Sequence, residues 1–279
     1  MPKNKLVSPV LKWVGGKRQI LPDIVELLPQ QLNRQTYYEP FLGGGAVLFH
    51  LQPRNAIVND FNSELVNLYI VIRDHLEELL ENLRLHINEP EYFYHLRGLD
   101  RTAEFQNMNL VQKASRVVFL NKTCFNGLYR VNNSGEFNTP FGRYKNPNIV
   151  NEPTLRAVSR YLNNNNIQLL NGDYADAVAN ADHRSFVYFD PPYHPVSASS
   201  NFTGYIEGGW NEGEQIRLRE LCDELTERNV KFLLSNSSTD FIRNQYANYD
   251  IKTVLASRSI NSIGGKRGDV EEVLIRNYE

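Results

Sequence analysis

The tetrapeptide Asp190-Pro191-Pro192-Tyr193 directly follows the apolar run Phe186-Val187-Tyr188-Phe189. Two consecutive prolines lack the N–H groups a strand ladder needs and hold the chain in a rigid extended turn. The carboxylate before them and the ring after them are therefore presented in fixed geometry. A carboxylate, a proline carbonyl and an aromatic ring suit an exocyclic amino group on a planar base. Asp190 and the Pro191 carbonyl would accept its two N–H bonds while Tyr193 stacks on the ring. The alternative, a structural aspartate in a proline-rich turn, is common for a lone Asp-Pro pair and a poor match to this tetrapeptide after an apolar strand.

Three further clusters bear on chemistry. Glu39-Pro40-Phe41-Leu42-Gly43-Gly44-Gly45 ends an apolar run and precedes a helical one. Glycines there let the backbone turn tightly and approach a ligand at the carboxyl edge of a sheet. The cluster is not a dinucleotide fingerprint, because the third glycine position holds Leu48, and a plain tight turn remains an alternative. Asp60, at the end of the next run, could accept both hydroxyls of a ribose or cap the following helix. Lys12-Trp13-Val14-Gly15-Gly16-Lys17 is not a phosphate loop, since no glycine stands six residues before Lys17 and Arg18 replaces the required Ser or Thr. It is a turn that puts a lysine and an indole near one another, suited to a carboxylate or a planar group.

The elements that must position these groups alternate strand with helix. Strands are expected at Tyr37–Phe41, Ala56–Asp60, Ile167–Leu170, Ser185–Asp190 and Val230–Leu234, with a closing antiparallel pair at Ile251–Ala256 and Val270–Ile275. One helical face runs from Leu65 to Leu85 through Leu68, Tyr69, Ile72, Leu76, Leu79, Leu80 and Leu83, and another helix spans Glu212–Arg228. The expected fold is α/β, with a mostly parallel sheet. Between about 71 and 160 the rhythm changes to helical segments and a polar loop from Asn121 to Asn148, which reads as an insertion. Asn163–Asn166 is a helix-to-strand turn, and the repeat of Gly-Gly-Lys-Arg at 15–18 and 264–267 does not establish an internal repeat.

The chain has 279 residues, 41% hydrophobic, enough for one large domain or one with a sizeable insertion. Disorder and a disulfide scaffold are excluded, and the distant Cys124 and Cys222 form neither a zinc nor a redox motif. No stretch approaches the roughly 18 to 20 apolar residues of a membrane span, and no apolar signal core follows Met1, so a cytoplasmic protein in a reducing compartment is expected. The six histidines have no ligand-like spacing, and no metal is expected.

The formal net charge is −2, which at first argues against a nucleic-acid partner. It is unevenly spread. Residues 1–18 carry +5, residues 116–160 carry +5, and the remainder carries −12. The second basic segment is interleaved with Phe125, Tyr129, Phe137, Phe141 and Tyr144, as a base-reading loop requires. A solvated loop anchored by aromatics fits the composition equally well.

In order along the chain, the set comprises Lys12–Lys17, Glu39–Gly45, Asn59-Asp60-Phe61-Asn62, Phe125-Asn126-Gly127-Leu128-Tyr129-Arg130, Gly135–Lys145, Gly172-Asp173-Tyr174, Asp190–Tyr193 and Leu234-Ser235-Asn236. It resembles the DNA adenine-N6 methyltransferases of the Dam type, including the DpnM-like enzymes of restriction systems. The ordered set carries the resemblance, over almost the whole chain, in the arrangement called the α group.

The resemblance implies a Rossmann-like methyltransferase sheet, a catalytic domain of residues 1–70 and 155–279, and an inserted, mainly helical target-recognition domain of residues 71–154. S-adenosyl-L-methionine, released as S-adenosyl-L-homocysteine, would lie across Gly43 and Gly45. Trp13 and Lys17 would stand on its methionine and adenosine side, Asp60 on the ribose, and Asp173 with Tyr174 at the adenine. Gly15, Glu39, Phe41 and Asp190 complete the implied cofactor set. Asp190, Pro191, Pro192 and Tyr193 would form the catalytic pocket for an adenine flipped out of double-stranded DNA. Within G-A-T-C the reading positions are Asn126, Leu128, Arg130, Pro140 and Tyr144. Lys12 would also contact DNA, Arg143 and Lys145 would lie nearer the phosphates, and Phe125 would fill the gap left by the extruded base. Trp13-Val14 and Tyr129 vary from some relatives at positions that read as non-contact. Whether a cognate restriction endonuclease acts separately beside it is left open by the sequence.

Three alternatives are weighed beside this. Methylation of a protein glutamine amide or an RNA base uses similar pockets, but Asp at 190 and the basic insertion argue against the amide. A catalytically silent DNA-binding regulator conflicts with intact Asp60, Asp173 and Asp190–Tyr193. A zinc deaminase lacks its H-x-E and P-C-x-x-C elements.

Overall fold

A computed structural model of the chain describes residues 3–13, 15–132, 134–196, 210–257 and 269–279. The strands are β1 (Thr36–Glu39), β2 (Asn55–Asp60), β3 (Asn166–Asn171), β4 (Ser185–Phe189), β5 (Lys231–Ser237), β6 (Asp250–Ser257) and β7 (Asp269–Arg276). They form one sheet in the order β3-β2-β1-β4-β5-β7-β6. β1 pairs in parallel with β2 and β4, and β7 runs antiparallel to β5 and β6. The expected mostly parallel sheet with its antiparallel closing pair is present. Strand order reverses between β1 and β4, so the chain leaves their carboxyl ends in opposite directions and opens a crevice there, where open α/β sheets bind ligands.

β4 is buried along its whole length, which is why its sequence is a continuous apolar run. Successive side chains alternate between two cores. Phe186 and Tyr188 join the larger one, while Val187 and Phe189 join the smaller one under the helices Tyr174–Val178, Glu212–Glu227 and Asp240–Gln245. The larger core is continuous from Val7 through the helix Ser63–Asp74 into the helix Leu110–Thr123 and on to Phe137. The latter helix begins with a capping box between Asn109 and Gln112 and packs along Ser63–Asp74. Residue 71, where the inserted unit is expected to begin, lies inside Ser63–Asp74.

Several boundaries differ from the sequence expectation, most of them by one to three residues at a strand end, and two have a clear physical cause. β1 ends at Glu39 rather than Phe41, because Pro40 has no N–H for the ladder and Leu42 N instead bonds Asn59 O at 2.8 Å. The Leu65–Leu85 face is carried by two helices, Ser63–Asp74 and Leu76–Arg84, broken at His75 (φ −133°, ψ 39°). The apolar face survives the break: Leu65, Leu68, Tyr69, Ile72, Leu79, Leu80 and Leu83 are all buried. The Gly-Gly-Lys-Arg copy at 264–267 and Val14 lie outside the described residues. Both cysteines are buried and free, and burial pushes the Cys124 thiol up to about 12. Among the described residues no helix is long and apolar enough to cross a membrane.

Candidate active site

The turn after β4 is clamped on several sides. Gln215 Nε2 donates to Pro192 O at 2.9 Å and receives a bond from Asn236 Nδ2 on its own Oε1 at 3.1 Å. Asn236 Oδ1 accepts from His194 N at 3.0 Å, and Ser237 Oγ donates to His194 O at 2.6 Å. Tyr193 OH donates to Glu272 Oε2 on β7 at 2.9 Å, fixing the ring. The Asp190 carboxylate is held through one oxygen: Lys17 Nζ lies 2.7 Å from Oδ1, and Ser235 Oγ donates to the same atom at 3.0 Å. Among the described residues no bond reaches Oδ2. Burial pushes this carboxyl above the ordinary aspartate range, and the Lys17 ammonium, then Ser235, pull it back.

Lys17, expected on the cofactor, stands at this turn. Its ammonium donates to Gly15 O at 2.6 Å and lies 4.5 Å from the Tyr193 ring centroid. Trp13 covers the glycine turn: a Cβ at Gly43 would come within 3.0 Å of its indole, and one at Gly44 within 2.9 Å of its Cβ. Gly43 and Gly45 have φ of 49° and 68°, the left-handed region that only glycine enters freely.

The crevice gathers three carboxyls from three strand ends. Asp60 Oδ2 accepts from Gly43 N at 2.8 Å and Oδ1 from Asn62 N at 2.9 Å, and burial pushes it up to about 6. Asn62, not Asp60, caps the helix Ser63–Asp74, through Leu65 N at 3.0 Å. Asp60 thus braces the glycine turn, and its neighbour Phe61 is half exposed. Glu39 is buried with Tyr37 OH 2.7 Å from Oε2, and desolvation pushes it up to about 8. Asn59 Nδ2 ties the strand ends together through Pro40 O and Gly172 O, both at 3.0 Å.

Beyond β3, Asp173 caps the helix Tyr174–Val178 through Ala175 N at 2.8 Å and forms a bidentate pair with Arg217, both bonds 2.8 Å. Arg217 holds this carboxyl below the ordinary range and lies 4.8 Å over the Tyr174 ring. Tyr174 stacks on Phe41 at 5.1 Å, and Trp210 meets both rings. Trp210 Nε1 is buried with no partner among the described residues.

The polar loop folds against the amino-terminal segment. Asn121 bonds Lys12 N, Lys12 O and Gly127 O, so exposed Lys12 packs on the short turn Phe125–Gly127. In that turn Asn126 has φ 57° and Phe125 is half exposed. Asn126 N donates to Tyr144 OH at 2.9 Å, and Phe125 N to Pro140 O at 2.8 Å. Leu128 O accepts from Thr139 Oγ1, and exposed Arg130 bonds Asn138 Oδ1 at 2.6 Å. A cavity of about 460 Å³ is lined by Arg143, Tyr144 and Lys145 with Asn88, Pro90, Tyr94 and Phe141. Arg130 is outside that lining.

The family model of the D12 class N6 adenine-specific DNA methyltransferase matches residues 13–260. The chain belongs to this class. It is 43% identical to the type II methyltransferase M1.LlaDCHI of Lactococcus lactis subsp. cremoris over 281 residues, covering 100% of this chain and 98% of that one. Against the type II methyltransferase M.MjaIII of Methanocaldococcus jannaschii the identity is 43%, covering 98% and 99%. Against the DNA adenine methylase of Escherichia coli K12 it is 36%, covering 98% and 95%.

In this D12 methyltransferase the structure brings Lys17, Ser235, Glu272, Gln215 and Asn236 to the Asp190 turn, and Arg217 and Trp210 to Asp173 and Tyr174. Lys17, Ser235 and Asn236 stood in motifs read from the sequence, whereas Glu272, Gln215, Arg217 and Trp210 did not, and none of these contacts has a sequence signal. Glu272 and Gln215 come from elements far along the chain, and an isolated Arg in a polar helix gives no sign of its partner. Among the described residues no group of three His, Cys, Asp or Glu side chains is arranged to hold a metal ion.

Proposed function

We propose that this adenine-specific DNA methyltransferase transfers the methyl group of S-adenosylmethionine to N6 of an adenine within GATC in duplex DNA, the base being flipped into the Asp190–Tyr193 pocket. The observation that carries the reading is the clamped Asp190 turn at the crevice between β1 and β4, beside a turn whose glycines hold φ of 49° and 68°. The fit to the cofactor rests on that cradle, on the braced Asp60, and on Trp210 Nε1, which has no partner among the described residues, beside Phe41 and Tyr174. Asp60 would accept the ribose hydroxyls, Asp173 and Tyr174 would face the adenine, and Gly15, Glu39 and Phe41 would line the cradle. When bound, the cofactor supplies an electrophilic sulfonium methyl.

An adenine amine is a poor nucleophile because its lone pair is delocalised into the ring. Asp190 counters this. With Oδ1 engaged by Lys17 and Ser235, Oδ2 accepts one N6 hydrogen and the Pro191 carbonyl the other, which directs the lone pair toward the methyl. Tyr193, its hydroxyl anchored on Glu272, offers a fixed stacking face, which offsets part of the few kcal/mol needed to unstack a base. Asp190 also stabilises positive charge growing on N6.

Residues 71–154 are read as the inserted target-recognition unit on a catalytic domain of residues 1–70 and 155–279. Within it Asn126, Leu128, Arg130, Pro140 and Tyr144 read bases, Phe125 fills the vacated stack, and Lys12, Arg143 and Lys145 meet phosphates. The type II relatives support a place in a restriction–modification pair whose endonuclease is a separate chain, working in the cytoplasm where the DNA lies. Incubating plasmid DNA with methyl-labelled cofactor, followed by nucleoside analysis and site mapping, tests the reading. N6-methyladenine confined to GATC is expected. Label in another nucleoside overturns the chemistry, and label at other sequences overturns the specificity.

A further inference from the structure

Among the described residues Arg116 is the largest fully buried side chain, 1% exposed, and it sits between two carboxylates. Its guanidinium lies 3.3 Å from Glu64 Oε1 and 2.8 Å from Asp100 Oδ2, and donates to Leu96 O at 2.8 Å and Arg97 O at 3.0 Å. Each carboxylate has a second task. Glu64 Oε2 accepts from Tyr129 OH at 2.7 Å, and Asp100 Oδ2 accepts from Phe137 N at 2.7 Å. Tyr129 and Phe137 stand on the two arms of one hairpin. Their rings meet at 5.5 Å, Val131 bridges to Phe137, and Asn138 N bonds Arg130 O at 2.9 Å. Both arms are therefore tied to one buried guanidinium. Tyr129 also stacks on Trp13 at 4.8 Å, and Trp13 lies against Gly43 and Gly44.

Burying an ion triad costs desolvation that its attraction roughly repays, so such a group is a poor source of stability and a good source of register. Apolar residues would fill the space without specifying which hairpin atoms meet which helix atoms. We propose that Arg116, with Glu64 and Asp100, is a positioning residue that sets the register of the Arg130 hairpin against the cofactor turn, and so determines how well the enzyme discriminates its site. Arg116 touches neither DNA nor cofactor in this scheme and acts through Tyr129 and Phe137. The inference rests on the proposed reading of that hairpin as the base-reading element.

The test measures kcat/KM for a duplex carrying one GATC and for the same duplex with one base pair of it changed, in the full-length parent, Tyr129→Phe, Asp100→Asn and the double variant. Tyr129→Phe keeps the stacked ring and removes only the hydroxyl, and Asp100→Asn keeps an acceptor for Phe137 N while removing the charge facing Arg116. Each single variant should lose about tenfold in the ratio of the two values, the size of one charge-assisted hydrogen bond. The double variant should lose no more than the worse single one, because both act through one group. Affinity for S-adenosylhomocysteine without DNA should stay within about twofold, since neither Tyr129 nor Asp100 lines the cradle. A parent that discriminates together with variants that discriminate equally overturns the strut alone, as do losses that add in the double variant or a matching fall in S-adenosylhomocysteine affinity. A parent that treats both duplexes alike overturns the reading of the hairpin and the strut with it.

Discussion

Asp190 is under two opposed influences: burial raises its proton affinity, while Lys17 and Ser235 favour the ionised form on one oxygen. Asp190→Ala should abolish methyl transfer and leave S-adenosylmethionine binding by calorimetry near that of the parent. Near-parental turnover on duplex DNA would remove Asp190 from the mechanism. Arg130→Ala should cost about 1–3 kcal/mol of discrimination at one base pair, read as the ratio of kcat/KM between cognate and altered sites. Glu39 gives a pH prediction. Its carboxyl, pushed up to about 8, binds a proton in the folded chain that an unfolded chain releases near 4.5. Its contribution to stability is thus full at low pH and is lost as pH rises from about 4.5 through 8. Glu39→Gln, neutral throughout, should flatten that decline by roughly a few kcal/mol. Denaturant titrations at pH 5.5, 7 and 8.5 check it, and parallel curves for the two chains would contradict it.

At the scale of elements, the glycine turn is the most constrained piece. Gly45 begins the helix Ala46–Leu51 at φ 68°, and a Cβ there would come within 2.7 Å of the buried Phe49 ring. Gly45→Ala should destabilise by roughly 1–3 kcal/mol through left-handed strain alone. Unfolding in urea measures it, and S-adenosylmethionine affinity should fall in parallel because the cradle shifts. Strand positions and helix faces were legible in the sequence because they depend on local alternation and periodicity. The break at His75 was not, because the apolar face passes through it uninterrupted and only the backbone angles record it. The glycine turn was legible as a turn. That its indole lid is Trp13, and that Asp60 braces it rather than capping a helix, depends on contacts between segments.

Across the whole molecule, the +5 of residues 116–160 overstates the field available to DNA. Arg116 is buried between Glu64 and Asp100, and Arg156 pairs with Glu77 and Glu152. Among the described residues no ion pair reaches Lys12, Arg130, Arg143 or Lys145, and of these exposed cations Lys12, Arg143 and Lys145 remain for phosphate while Arg130 is kept for a base. If about three of them release counterions, log K should fall against log salt with a slope of about −3. Fluorescence anisotropy on a short duplex between 50 and about 200 mM salt measures it, and affinity flat over that range would mean the interface lies elsewhere.

The sequence by itself determined the sheet, the ordered motifs and the chemistry available to Asp190–Tyr193, because each is written in contiguous residues whose spacing fixes local geometry. Only the tertiary structure decided which partners those groups have. Lys17 and Ser235 meet on Asp190, Arg217 claims Asp173, Glu272 anchors Tyr193, and Arg116 lies between Glu64 and Asp100. Ion pairs and hydrogen bonds form over a few ångströms between segments far apart in the chain, and neither composition nor periodicity carries that distance.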